Sequence, residues 1–298
     1  MGRLLRGATE PRVRLRALLE GPGPVVAPGA YDALSARLVE RAGFDVVYMT
    51  GFGSTASLIG RPDIGLLGGA EMIDNARRMA AAVDLPLIAD ADTGYGNAIN
   101  VVRTVADYER AGVAGIHLED QVSPKKCGHL SGKAVIEVEE MVGKIQAAVA
   151  ARRDPDLLLI ARTDAAAVQG LDAALERARR YAAAGADALF VEAPTSEADI
   201  ARVASELRGL APLVFNWAEG GRTPPLPLAR IAELGFALVI FPIGTLLAAT
   251  AGIQNLLAVL RADGTPAAAL PGLPSFDGFA ELIGLPEVRE LEGRFGAG

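Results

Sequence analysis

"ERAGVAGIHLED" (residues 109–120) holds the pattern that decides the fold. A charged helical turn closes on Gly112, which takes the left-handed C-terminal conformation at little cost. An apolar run follows at once and ends on two acids. Such a run, with no polar alternation, suits a strand covered on both faces, as in a parallel sheet flanked by helices. The same stop signal recurs in "ERAGFD" (40–45), "AAAGAD" (182–187) and "AELGFA" (232–237). Working outward, the apolar runs are "PVVAP" (24–28), "DVVYMT" (45–50), "PLIADAD" (86–92), "AGIHLED" (114–120), "LLLIART" (157–163), "ALFVEA" (188–193), "PLVFNW" (212–217) and "ALVIFP" (237–242). Eight strand–helix units over about 220 residues predict an α/β fold of the (β/α)8 barrel type, which typically takes ~250 residues. An open doubly wound sheet is the competitor. It would carry a glycine fingerprint after its first strand, and "APGAYD" (27–32) lacks one.

One domain is expected over residues 1–298, with the barrel at about 20–245 and a helical extension at about 246–298. The extension reads as helices at 247–262 and 276–295, divided by "PAAALPGLPS" (266–275). It caps the barrel or packs on a neighbouring subunit. Hydrophobic residues make up 51% of the chain and charged ones 22%, which provides for a core and argues against disorder. Net charge is −7, without the clustered basic stripe of a nucleic-acid footprint. The basic run Arg3, Arg6, Arg12, Arg14 and Arg16 is expected on a solvated amphipathic N-terminal helix. No apolar run is expected to reach the ~18 residues of a membrane helix, and no signal peptide leads the chain. A single cysteine excludes an internal disulfide. Together these features predict a soluble cytoplasmic protein.

In a barrel, catalysis sits at the C-terminal strand ends. Those ends carry Tyr48 and Thr50, Asp90 and Asp92, His117, Glu119 and Asp120, then Arg162, Thr163 and Asp164, Glu192, and Asn216. Asp90 and Asp92 share one strand face. With Glu119 and Asp63 they would repel one another unless a hard cation lay between them, which suggests Mg²⁺, with Mn²⁺ as substitute. Any one of these acids alone reads equally well as a helix cap. Arg162 suits bidentate capture of a carboxylate. His117 reads as a core histidine or as a support to the site.

"KKCGHLSGK" (125–133) holds the sole cysteine and one of two histidines. Lys125, Lys126 and Lys133 are expected to lower the Cys127 thiol pKa. Gly128 and Gly132 would let the loop 121–133 close as a lid.

"ADADTGYGN" (89–97), "GIHLEDQVSPKKCGHLSGK", "IARTDA" and "FNWAEGGRTP" together resemble motifs of the isocitrate lyase / phosphoenolpyruvate mutase superfamily, in order, over roughly residues 12–260. Within it the chain looks like the short carbon–carbon lyases acting on 2-methylisocitrate or 2,3-dimethylmalate. The resemblance implies Mg²⁺ held by Asp90, with Asp92, Glu119 and Asp63 acting mostly through water. It implies that Tyr48, Thr50, Gly51 and Phe52 hold a 2-oxo acid, that Arg162 clamps it, and that Glu192 and Asn216 line the pocket. Lys125, Gly128 and His129 would belong to the closing loop, and Cys127 would protonate an enediolate, yielding pyruvate and a carboxylic acid. Lys125, His129, Glu119 and Tyr48 join Cys127 as catalytic candidates, with Tyr48 or a water-linked carboxylate as base. The partner would be a di- or tricarboxylate substrate. A last helix able to swap between subunits would build a homotetramer from two dimers. Oxaloacetate decarboxylation, phosphonate-type mutase chemistry and non-catalytic dicarboxylate binding are the rival readings.

Overall fold

The computed structural model describes residues 10–296. Eight parallel strands close into a barrel in sequential order: β1 (Val25–Ala30), β2 (Val47–Met49), β3 (Leu87–Asp90), β4 (Gly115–Glu119), β5 (Leu158–Thr163), β6 (Ala188–Val191), β7 (Leu213–Asn216) and β8 (Leu238–Phe241). Each of the eight runs read from the sequence supplies one strand. Alternating residues of these strands face two cores. Tyr48, Ile88, Ile160, Phe190, Val214 and Ile240 fill the barrel interior. A larger apolar layer, including Met49, Leu87, Ile116 and Leu159, packs against the outer helices.

Some of the helices that follow the strands begin on side-chain caps. Asp32 Oδ1 accepts from Ser35 N at 2.7 Å while Ser35 Oγ accepts from Asp32 N at 3.1 Å, a reciprocal box at the start of Ala33–Arg41. Asn97 caps Ala98–Arg110 in the same way. Register then sets the site: Asp90 lies beside His117 across β3 and β4, and Glu119 beside Arg162 across β4 and β5.

Two expectations need correction. The N-terminal helix Pro11–Leu19 is docked and not solvated. Leu15 is fully buried beneath the barrel, and Arg12 bonds to the carbonyls of Val113 (3.0 Å) and Glu109 (2.6 Å) and to Asp154 Oδ2 (2.6 Å). Sequence alone does not show that these carbonyls, in the last turn of the helix Ala98–Arg110 and the turn before β4, require donors. Arg3 and Arg6 lie outside the described residues. The helix Gly244–Asp263 is 20 residues long with mean hydropathy 1.3, so an apolar stretch of membrane-spanning length does exist. Its charged residues, Arg261 and Asp263, fall only in its last turn, and none of its residues is buried within the chain.

The extension beyond it forms helices Phe276–Leu282 and Leu285–Phe295, with Gly284 at φ +94° separating what the sequence suggested was one helix. None of these three C-terminal helices buries a side chain in this chain's own core.

Candidate active site

A cavity of about 170 Å³ opens at the C-terminal ends of the strands. Tyr48, Thr50, Phe52, Asp63 and Asp90 line it from β2, β3 and the segment between them, and Arg162, Glu192 and Asn216 from the ends of β5, β6 and β7. Lys125, Cys127, Gly128 and His129 cover it from the loop after β4. A larger cleft of about 440 Å³ lies between the helices Gly69–Ala82 and Ala98–Arg110. Its charges are spent on one another, Arg77 with Asp74 and Arg103 with Asp107, so it offers few free groups.

Of the remaining candidates, Gly51 borders the cavity through Asp90: its N–H donates to Asp90 Oδ2 at 3.2 Å, and a Cβ there would fall 2.4 Å from that oxygen. Asp92 and Glu119 lie behind the lining, at 6% and 1% exposure. Asp90 Oδ1 accepts from Asp92 N at 2.9 Å and lies 3.4 Å from His117 Nε2, whose ring also pairs with the Tyr48 hydroxyl at 2.8 Å. His117 thus supports the site. Burial lowers its pKa, with Asp90 opposing. Burial also raises Tyr48 well above the ordinary phenol, and Asp90 adds to this, so Tyr48 is a phenol and not a resting base.

The acids divide. Burial opposes ionisation of Asp90, but His117, Lys125 and Arg162 outweigh it and lower the pKa. Burial raises Asp92 to about 6 against the pull of Lys125, and it raises Glu119 well above the usual carboxylate range against Arg162. Burial likewise opposes the charge of Glu192, yet Arg162 and His129 hold it below that range.

Among the described residues no three His, Cys, Asp or Glu side chains gather at metal-ligating spacing. The Lys125 ammonium lies 2.7 Å from both Asp63 Oδ2 and Asp92 Oδ1. Glu119 Oε1 is buried without a hydrogen-bond donor, Asp92 Oδ1 has only the shared Lys125 ammonium, and both carboxyls are pushed toward protonation. An all-oxygen, under-neutralised set of this kind suits Mg²⁺.

The loop corrects one inference about the thiol. Lys125 turns to Asp63 and Asp92, Lys126 to the Gly132 carbonyl at 2.8 Å, and Lys133 to Asp164 at 2.8 Å. None of the three is left to stabilise a thiolate. Burial therefore raises the Cys127 pKa, with the His129 backbone N–H opposing only in part. The lid is seated. Arg162 Nη2 and Glu192 Cδ lie 2.4 and 2.7 Å from where a Cβ on Gly128 would stand. His129 reaches Glu192 Oε1 at 3.1 Å.

Sequence reasoning missed two supports. Asp120 accepts from Thr163 Oγ1 (2.7 Å), Asp164 N (2.8 Å), Tyr181 OH (2.8 Å) and Arg177 Nη1 (3.1 Å), which fixes the end of β5. Glu219 accepts from Ile243 N and Gly244 N, joining the cavity wall to the helix Gly244–Asp263. Asp120 was visible as a polar strand end; its partners come from a distant helix.

Residues 15–261 match the family model described as phosphoenolpyruvate phosphomutase. The chain is 47% identical to the 2,3-dimethylmalate lyase of Eubacterium barkeri, covering 96% of this chain and 98% of that one. It is 45% identical to a 2-methylisocitrate lyase of Aeropyrum pernix, covering 95% and 90%. The solved structure of oxaloacetate acetylhydrolase with 3,3-difluorooxalacetate superposes with a TM-score of 0.91 at 40% identity, covering 96% and 97%. With a closed eightfold barrel, acids at its strand ends and near full-length similarity, the chain belongs to the phosphoenolpyruvate phosphomutase family, within the phosphoenolpyruvate mutase / isocitrate lyase superfamily.

Proposed function

We propose that the protein is a Mg²⁺-dependent carbon–carbon lyase that splits a 2-hydroxy di- or tricarboxylate of the 2,3-dimethylmalate or 2-methylisocitrate class into pyruvate and a carboxylic acid. The observation that carries this reading is the place of Cys127 in the cavity lining, on a loop seated over Arg162, where burial raises the thiol pKa. Asp90, with Asp92, Glu119 and Asp63, would hold Mg²⁺, which when bound supplies Lewis-acid polarisation of the substrate's oxygens.

The chain's own residues supply the rest. Arg162 takes a substrate carboxylate, and Tyr48, Thr50, Gly51 and Phe52 hold the 2-oxo end. One carboxylate takes the C2 hydroxyl proton, since Tyr48 is held as a phenol. The pair that deprotonation leaves on the C2 oxygen forms the carbonyl as the C2–C3 bond breaks, and that bond's pair passes to C3 and its carboxylate as an enediolate. Cys127 then gives its proton to C3, leaving a thiolate. Lys125, Gly128 and His129 keep the loop over the cavity and exclude water. The small cavity, with Glu192 and Glu219 in its wall, favours a dicarboxylate with alkyl substituents over a tricarboxylate.

The similarity to oxaloacetate acetylhydrolase favours one rival, cleavage of oxaloacetate in the same pocket. Incubation with Mg²⁺ and 2,3-dimethylmalate, 2-methylisocitrate, oxaloacetate or phosphonopyruvate tests both. Pyruvate from the first or second supports the lyase. Exclusive turnover of oxaloacetate or of the carbon–phosphorus substrate rejects it. A cytoplasmic homotetramer built from two dimers completes the proposal. It is supported by the lone cysteine and by C-terminal helices that expose Ile253, Leu257 and Phe276 at 58, 55 and 87%.

A further inference from the structure

Lys133 is a buried lid cation for which the proposed mechanism has no use. Its side chain is 2% exposed, and Nζ lies 2.8 Å from Oδ1 of the fully buried Asp164. The same ammonium donates to the carbonyl of Gly128, the residue after Cys127. Asp164 is itself a junction. It receives Arg162 through Nε at 2.9 Å and Nη2 at 3.1 Å, and its N–H donates to Asp120 at 2.8 Å. Asp120 in turn is held by Arg177 and Tyr181 on the helix Leu171–Ala183. A lysine at the far end of the loop therefore ties the carbonyl beside the thiol to the residue that orients the clamp.

Stability alone explains this arrangement poorly. Burying an ammonium and a carboxylate costs several kcal/mol in lost hydration, and a buried pair often contributes no more than an apolar pair of the same volume. What such a pair does impose is geometry. The two acceptors of Lys133 lie on separate segments, the lid and the end of β5, so satisfying both fixes one against the other.

We propose that Lys133 is a positioning residue that, through Asp164, docks the Cys127-bearing segment of the lid onto Arg162. Its effect on turnover rests on the lyase reading; its effect on the thiol does not. Without the ammonium, the Gly128 carbonyl loses its donor, and His129 with the Cys127 N–H bond to the Asp63 carbonyl (3.0 Å) is left to hold this part of the loop.

The sole cysteine makes the test direct. Full-length Mg²⁺-loaded wild type, Lys133→Met and Lys133→Gln are treated with iodoacetamide at one neutral pH, and alkylation is followed by mass. Lys133→Met is expected to react about tenfold faster, the change produced by ~1.4 kcal/mol in the loop's opening equilibrium. Lys133→Gln, which retains one donor group, is expected to fall between. With substrate, kcat of Lys133→Met should drop by about the same factor while KM moves much less, because Arg162 keeps its partner Asp164. A folded variant whose thiol reacts at the wild-type rate overturns the proposal. Should Lys133→Met fail to fold, Lys133→Gln is judged by the same comparison. If wild type turns over no substrate, the lyase reading fails while the alkylation result still decides the role of Lys133.

Discussion

The backbone N–H of Arg222 donates to Nδ1 of His129 across 3.0 Å, joining the loop after β7 to the lid. An accepting Nδ1 carries no proton, so Nε2 carries it and donates to Glu192 Oε1 at 3.1 Å. One imidazole thereby ties the lid to two parts of the rim. His129→Ala removes a hydrogen bond to a charged group, worth about 1.5–3 kcal/mol. The expected outcome in steady-state kinetics is a kcat lower by roughly ten- to a hundredfold. Wild-type kcat in this variant would show that the lid seats without it.

Gly128 tests the lid by sterics alone. Its φ lies outside the left-handed region, so alanine brings no backbone strain there. The added Cβ would stand 2.4 Å from Arg162 Nη2 and 2.7 Å from Glu192 Cδ, two side chains pinned by ion pairs. Gly128→Ala is therefore expected to keep the loop from seating and to lower kcat by more than tenfold, with little change in thermal stability because the clash is relieved by opening. A crystal structure of the variant with the loop in place and the clamp undisplaced would contradict this.

Cys127 has a stated direction in pH. Burial raises its pKa above the ordinary thiol, so the native state holds the proton longer than the unfolded chain does. Any stability this gives is present below the unfolded pKa and is lost as pH rises through the folded one. Alkylation of the native protein should accordingly rise at higher pH than alkylation in urea. Coincident profiles would mean that the thiol is free of its surroundings. Cys127→Ser should leave folding intact and lower kcat by ~10²-fold or more if the proton transfer to carbon is its task.

These tests also mark where sequence reading ends. The strands were legible because the helix stop at Gly112 and the apolar run after it are contiguous, and the acids at their ends inherit their place from strand direction. Lys125 and Lys133 were not. Both stand beside Cys127 in sequence, yet one turns to Asp63, 62 positions away, and the other to Asp164, 31 away. Adjacency in a loop gives no side-chain direction, so cations counted around the thiol proved to serve the acids and the clamp. Arg12, bonded across 101 positions to Val113, and Asp120, across 61 to Tyr181, are the same case. Their need arises from groups buried only when the barrel closes.

Asp92 links metal to pH. Burial raises its pKa to about 6, above the ordinary aspartate, so in the metal-free protein the native state binds more protons than the unfolded chain between the two values. That contribution to stability falls as pH rises through this window. A cation held by the ionised carboxylates has the opposite dependence, because below about 6 it competes with the proton on Asp92. Thermal unfolding with and without Mg²⁺ across this range should show a Tm gain that is full at neutral pH and shrinks as pH falls through about 6. At a hundredfold excess over Kd the full gain corresponds to about 2.7 kcal/mol. Asp92→Asn should reduce the gain at neutral pH and flatten its pH dependence, since the amide neither ionises nor offers a second anionic oxygen. A Tm gain in wild type that stays constant from acid to neutral pH would place the cation away from Asp92, and the water-linked role proposed for that residue would go with it.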